Sequence, residues 1–287
     1  MNSKQFNHWQ QAHILASRSN LPLQQPLIMG VLNTTPDSFS DGGQFLDAHS
    51  AYSHAMRMIE SGADLIDMGG ESSKPGALAV AGSEELARVI PVIERIHAQS
   101  DICISIDTSK AEVMSAAVAA GASIINDISA LSGEGALAVA ATLNVAVCLM
   151  HMQGVPQTMQ HAPCYTQDVV DEINQFFQQR LAVCMQAGIA RERIILDPGF
   201  GFGKSVQHNL QIIKRLREFQ QHNQPLLLGV SRKSTLGAIG HTTVNERLHA
   251  GIAAAVFAAL QGVAIIRTHD VSETRQALQM VQAIVSA

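Results

Sequence analysis

Eight short apolar runs recur along the chain, each followed by a segment with helical spacing. They are Leu27–Asn33, Leu65–Gly69, Ile102–Asp107, Ser123–Asn126, Val145–His151, Arg193–Asp197, Leu226–Ser231 and Val263–Thr268. Each is apolar throughout rather than alternating, the pattern of parallel strands buried on both faces. Between them, Ala51, Ala55, Met58 and Ile59 mark one helix face, and Val113, Ala117 and Ala120 another. Gly62, Gly121, Gly188 and Gly262 stand just before the next run, where a left-handed residue ends a helix. Eight βα units predict an α/β fold, a single-domain (β/α)8 TIM barrel over 25–287, with 1–24 as an N-terminal extension.

An open doubly wound sheet is the alternative, and the strand ends separate the two. In an open sheet only the strands at the switch point deliver residues to a ligand. Here nearly every run ends in a polar group: Asn33, Asp67, Asp107, Asn126, His151, Asp197, Ser231 with Lys233, and Arg267 with His269. Asp, Asn and Ser after a strand also serve as helix N-caps, but Lys233, Arg267 and His269 are poor at that. A barrel gathers all of these ends at its C-terminal mouth, where barrel enzymes place their sites.

Composition fits such a chain. Of 287 residues 47 % are hydrophobic and only 15 % charged, against roughly 25 % charged in average usage, so much of the molecule must be buried. A net charge of -5 argues against nucleic-acid or anionic-membrane partners. No apolar run approaches the ~20 residues of a membrane span, and residues 1–20 lack the apolar stretch of a secretory signal. The four cysteines form no CxxC pair, and Cys103 and Cys148 sit inside apolar runs, which predicts free thiols and a cytoplasmic location.

Two connections exceed ordinary βα turns. Residues 33–43 are rich in Gly, Pro, Asp and Ser and carry one large aromatic, Phe39; residues 69–76 are similar. Loops of this kind at a barrel mouth are candidate lids. The Asp197–Ser205 segment imitates a phosphate loop but has three residues, not four, between Gly199 and Gly203-Lys204-Ser205. It spells no dinucleotide fingerprint either. No HExxH, Cys/His cluster or Ser–His–Asp spacing is present.

Asp107 and Asp197, at the ends of inward-packed strands, need partners if ionised. A planar heterocycle with a ring N–H beside an exocyclic NH₂ satisfies such a carboxylate with two parallel bonds, and Asn126 both donates and accepts at the same edge. Lys233, Arg267 and His269 make a cationic counterpart after the seventh and eighth strands, where barrels recurrently bind phosphate. Ser231–Thr235 also opens a helix, whose free N–H groups favour an anion. His151 reads equally well as a satisfied rim histidine, and Met150 with Met152 as barrel core.

Taken together, MGVLNTTPDSFSDGG (29–43), IDMGGESSKPGA (66–77), ISIDTSK (104–110), NDI (126–128), LMHMQGVPQTMQ (149–160), LDPGFGFGK (196–204), GVSRKS (229–234) and IIRTHDV (265–271) resemble the dihydropteroate synthase family, colinearly from about Leu27 onward. The resemblance implies a pterin-binding barrel enzyme of folate synthesis. It would condense 6-hydroxymethyl-7,8-dihydropterin diphosphate with 4-aminobenzoate, giving 7,8-dihydropteroate and diphosphate. It implies that Asp107, Asn126, Asp197 and Lys233 hold the pterin with Met150 packed on it. Arg267 would stack on the pterin ring, a role suited to a planar guanidinium. Asn33 would meet the diphosphate through Mg²⁺, with Arg267 and His269 completing the anion site. Phe39, Ser73, Pro75 and Phe202 would wall the aminobenzoate pocket, Ser234 would receive its carboxylate, and the enzyme would be a homodimer, with the helix over Ile252–Leu260 as one candidate interface.

One departure stands out. The family's second loop usually reads Ser-Thr-Arg-Pro, whereas here it is Ser72-Ser73-Lys74-Pro75; the lost methyl and lost planar fork predict a modest change in aminobenzoate or sulfonamide affinity. Two rival functions remain at this level: a pterin-binding methyltransferase acting on an N5-methyl group with a corrinoid partner, and a non-catalytic pterin-binding paralogue. The two long loops disfavour the first, and the intact set Asn33, Asp107, Lys233, Arg267 and His269 disfavours the second. Trp9, the only tryptophan, carries no assigned role.

Overall fold

A computed structural model describes residues 1–18, 25–34 and 44–287, without the side chains of 18 and 44–47. Eight parallel strands form one sheet in the order β6-β5-β4-β3-β2-β1-β8-β7. They are β1 (Leu27–Asn33), β2 (Leu65–Gly69), β3 (Cys103–Asp107), β4 (Ile124–Asp127), β5 (Ala146–Met150), β6 (Ile194–Asp197), β7 (Leu227–Gly229) and β8 (Ile265–Thr268). A parallel bridge between Leu196 and Leu226 joins β6 to the start of β7, closing the sheet on itself. The single-domain (β/α)8 TIM barrel expected from the eight runs is the observed fold. β1 and β2 match their runs, and the other strand bounds shift by one or two residues; β7 ends at Gly229 rather than Ser231 because the chain turns at once toward Lys233, whose N–H donates to the Val230 carbonyl.

The helices are α1 (Ser3–Arg18), α2 (Gln44–Glu60), α3 (Gly82–Gln99), α4 (Ala111–Ala120), α5 (Ala136–Thr142), α6 (Val169–Gln186), α7 (Val206–Lys214), α8 (Ser234–Gly240), α9 (Leu248–Leu260) and α10 (Val271–Val285). Gly121 ends α4 at φ 124° and donates back to the carbonyls of Ala117 and Val118, a conformation closed to most side chains. Among the described residues no helix is long and apolar enough to cross a membrane.

Strand parity divides the core in two. Ile28, Ile66, Ile104, Ile125, Val147, Leu196, Leu228 and Ile266 pack outward with the helices. Leu27, Met29, Leu65, Cys103, Ile124, Ala146, Cys148, Ile195, Leu227 and Ile265 form a separate inner cluster. Continuing the inner parity toward the C-terminal ends reaches Asp67, Asp107, Asn126, Met150, Asp197, Gly229 and Arg267. The same alternation that fills the barrel with aliphatics therefore delivers its polar groups to the mouth.

The other end is closed by α1. Phe6 and Trp9 belong to the inner cluster, their rings stacked with centroids 5.4 Å apart. Cys103 donates its backbone N–H to the Met1 carbonyl at 2.8 Å, and Gln10 Nε2 donates to the Ile194 carbonyl at 3.3 Å. Residues of the N-terminal segment thus form the floor of the barrel core, which gives Trp9 its place.

Candidate active site

At the C-terminal mouth, Ser73, Asp107, Asn126, Ile128, Met150, Asp197, Gly199, Phe200, Phe202, Gly229, Lys233 and Arg267 line one cleft. Eight of the residues singled out in the sequence converge there: Ser73, Asp107, Asn126, Met150, Asp197, Phe202, Lys233 and Arg267.

Arg267 organises its acidic side. From β8 its Nε donates to Asp67 Oδ2 at 2.6 Å and its Nη2 to Asp107 Oδ2 at 3.0 Å, so one guanidinium bridges the carboxylates of two neighbouring strands. Asn126 Nδ2 donates to the same Asp67 oxygen at 3.1 Å. Burial pushes the Asp107 carboxyl up to about 7, against the opposing pull of Arg267. Burial likewise raises Asp197 to about 6, although Gly199 donates its backbone N–H to Asp197 Oδ1 at 2.7 Å. Two partly desolvated carboxyls lacking full sets of donors suit a ligand that brings its own N–H groups.

Lys233 supplies the opposite charge. Its Nζ lies 3.9 Å from the centroid of the Phe202 ring, a cation–π contact, and burial together with Arg267 lowers it to about 8. Met150, Met159 and Phe202 form a small apolar cluster beside it, with Ile128 and Met152 packed against them. This gives a flat ligand apolar walls next to the carboxylates.

The segment after β6 is clamped against the one after β5. Gly199 (φ 66°) approaches so closely that a Cβ there would lie 1.8 Å from the His151 carbonyl oxygen; only glycine fits. Lys204, 2 % exposed, bonds through Nζ to His151 Nδ1 at 3.0 Å and donates to the carbonyls of His151 and Phe202 at 3.2 and 3.0 Å. His151 therefore serves the rim rather than the cleft, held neutral by burial and by Lys204, at about 2.

His269 sits beside the cleft, its Nδ1 and backbone N–H both on Ser231 Oγ at 3.0 and 3.2 Å. Burial and the charges of Arg267 and Arg232 hold it near 3, so it is a neutral ring and not the cation expected from the sequence. Asn33 is half-buried at the end of β1. Pro75 and Ser234 are exposed and do not line the cleft, and Phe39 lies outside the described residues.

Two groups escaped the sequence reading. Asp67 was visible there only as one polar strand end among many; its parity with Leu65 and its fixed offset from Asp107 were the available signal. Lys204 was hidden in a Gly/Phe string whose apparent function was mimicry of a phosphate loop.

Comparison with known proteins agrees with this geometry. The family model described as pterin binding enzyme matches residues 29–269. The chain is 52 % identical over 274 residues to dihydropteroate synthase of Escherichia coli K12, covering 96 % of this chain and 97 % of that protein. Against the Haemophilus influenzae enzyme of the same name it is 47 % identical, covering 96 % and 99 %. A Yersinia pestis dihydropteroate synthase solved with a sulfonamide drug superposes with TM-score 0.88 at 49 % identity, covering 93 % and 97 %. A Xanthomonas albilineans dihydropteroate synthase in complex with 7,8-dihydropteroate does so with TM-score 0.84 at 45 % identity, covering 93 % and 96 %. The chain belongs to the pterin-binding enzyme family and, within it, to the dihydropteroate synthases.

Proposed function

We propose that the cleft condenses 6-hydroxymethyl-7,8-dihydropterin diphosphate with 4-aminobenzoate, releasing 7,8-dihydropteroate and diphosphate. The observation that carries this reading is the meeting of Asp107, Asn126 and Asp197 with Lys233 and Arg267 around one cleft beside an apolar wall. That arrangement matches a ligand with a donor-rich flat ring at one end and an anion at the other. Membership of the family makes the chain a transferase, and neither the methyltransferase nor the non-catalytic alternative gains support from its relatives.

In this reading Asp107, Asn126 and Asp197 hold the pterin edge, with Met150 against its face. The C–O bond to diphosphate breaks first in an SN1-like step, its electron pair leaving with the phosphate oxygen. Asp107 stabilises positive charge developing on the pterin methylene, and Lys233 and Arg267 stabilise the departing anion. His269, held neutral by burial and Arg267, contributes a ring N–H. The aminobenzoate nitrogen is already neutral, so its lone pair attacks without a strong base and its surplus proton passes to solvent or diphosphate. Ser73 and Phe202 line the cleft from opposite loops and would flank aminobenzoate, with Phe39, Pro75 and Ser234 assigned to the same subsite.

The donor set fits Mg²⁺ as a companion of the diphosphate rather than as a resident ion. Among the described residues no three His, Cys, Asp or Glu side chains converge, and Mg²⁺ commonly binds through substrate phosphates and water with few protein ligands. Asn33 would hold it by one amide oxygen, and when bound it would neutralise leaving-group charge. Free thiols at Cys103, Cys148, Cys164 and Cys184 support a cytoplasmic setting. Exposed Phe257 and Leu260 on α9 support a homodimer through that helix.

The test is product formation from pterin diphosphate in Mg²⁺ buffer with and without 4-aminobenzoate. Aminobenzoate-dependent dihydropteroate is the expected result, and its absence overturns the assignment. Sedimentation as a monomer at micromolar concentration would remove the homodimer alone.

A further inference from the structure

One carboxylate ties together both ends of the segment between β2 and α3. Glu71, two residues after β2, accepts at Oε2 a 3.0 Å bond from the backbone N–H of Val80, two residues before α3. The same oxygen takes the ammonium of Lys110, which stands three residues past Asp107. Lys110 Nζ also lies 2.6 Å from Glu85 Oε2 in the first turn of α3. The Glu85 side chain is fully buried and its Oε1 has no partner among the described residues. One helical turn on, Arg88 Nη1 donates to the Gly70 carbonyl at 2.7 Å. The enclosed residues include Ser73, which lines the cleft together with Asp107.

Stability alone is a poor account of this cluster. Breaking it by one partner leaves a buried charge, but replacing it with apolar side chains would pack α3 against α4 without the desolvation cost. What an apolar pair would not do is join the two ends of a loop to the strand end that carries Asp107. The pterin-side residues, by contrast, come from β3, β4, β5, β6, β8 and the segment after β7, none of them from 71–80.

We propose that Glu71 and Lys110 are positioning residues for the aminobenzoate half of the reaction, the Glu71–Lys110–Glu85 cluster fixing the Ser73 loop over Asp107. The inference rests on the condensation reading above. It separates the substrates: disturbing the cluster alters how aminobenzoate is presented and leaves pterin recognition in place.

The test uses the full chain carrying Glu71→Ala, Glu71→Gln, Lys110→Met and the Glu71→Ala/Lys110→Met double change. Initial rates are measured with each substrate varied, alongside amide hydrogen exchange over residues 72–79. Glu71→Ala is expected to raise KM for 4-aminobenzoate about tenfold or more, keep KM for the pterin diphosphate within about twofold, and speed exchange in the loop. Glu71→Gln, whose amide oxygen still accepts from Val80 and Lys110, recovers most of the loss. The double variant is no worse than the more affected single one, because one tie is cut in each. Unchanged aminobenzoate KM in Glu71→Ala, or an equal rise in both KM values with a lower melting temperature, overturns the proposal. Absence of aminobenzoate-dependent product in the wild type would overturn the condensation reading instead, and loop exchange would still judge the tie.

Discussion

Arg267 Nε donates to Asp67 Oδ2 over 2.6 Å inside the barrel, and the aspartate side chain is fully buried. The charge on Asp67 is therefore compensated by a residue that also reaches Asp107, coupling the floor of the site to its reacting edge. Removing one member of such a pair strands the other, at a cost of about 3–5 kcal/mol. Asp67→Ala should lower stability by that order and cut kcat/KM by roughly a hundredfold, since Arg267 loses the bond that orients it. The Asp67→Ala/Arg267→Ala double variant should be less destabilised than the sum of the two single ones. Denaturant melts of the four proteins decide this; strict additivity would mean that the two side chains do not support one another.

The same site predicts a bell-shaped pH dependence. Asp107 and Asp197 are raised by burial to about 7 and about 6, and as carboxyls they present fewer acceptors to ligand N–H groups. Binding of a pterin should therefore weaken as pH falls through that range. Lys233 is lowered by burial to about 8, so attraction for the diphosphate fades above it. His269 and His151, near 3 and 2, stay neutral throughout and do not shape either limb. The profile of kcat/KM, which reports the free enzyme, should have its acid limb between pH 6 and 7 and its alkaline limb near 8. Asp197→Asn should move the acid limb, and a limb that stays put in that variant would remove Asp197 from the titration.

Lys204 sits beneath Phe202 with its three bonds to His151 and Phe202. Lys204→Met keeps the length of the stem and removes the donors, leaving two buried carbonyls short of a partner at about 1–3 kcal/mol apiece. The Phe202 segment should then shift relative to His151, taking with it the ring on which Lys233 rests. KM for both substrates should rise, because Phe202 borders the aminobenzoate side and Lys233 the diphosphate side. Unaltered kinetics in a folded Lys204→Met protein would show the clamp to be dispensable.

What could be read from the sequence follows from what local pattern encodes. Continuous apolar strands announce a sheet covered on both faces, and their polar ends announce the ring at the mouth, so Asp107, Asn126, Asp197 and Arg267 were legible before any coordinates. Contacts between those ends were not. Nothing in the spacing of Asp67 and Arg267, 200 residues apart, says that they bond, and nothing about Glu71 says that it closes its own loop. Charge state was equally hidden: His269 reads as a cation until its burial beside Arg267 and Arg232 is known. The partners of α1 show the same limit, since a polar helix with one tryptophan carries no sign of the strand starts, scattered over the chain, on which Phe6 and Trp9 pack.

Trp9 tests that last relationship. It lies 7 % exposed on the inner cluster, stacked on Phe6 and with the neutral His13 ring 5.4 Å away. Burial holds His13 near 4, so the floor gains nothing from its charge. Cutting Trp9 to alanine opens a cavity beneath the barrel and should cost about 3–5 kcal/mol. The strand starts lie at the opposite end of the barrel from the cleft, so both KM values should stay within about twofold of wild type at temperatures where the variant is folded. Thermal melts and initial rates on Trp9→Ala check both halves. A stable Trp9→Ala protein would show that α1 is not part of the core, and a selective rise in one KM would show that the floor communicates with the mouth.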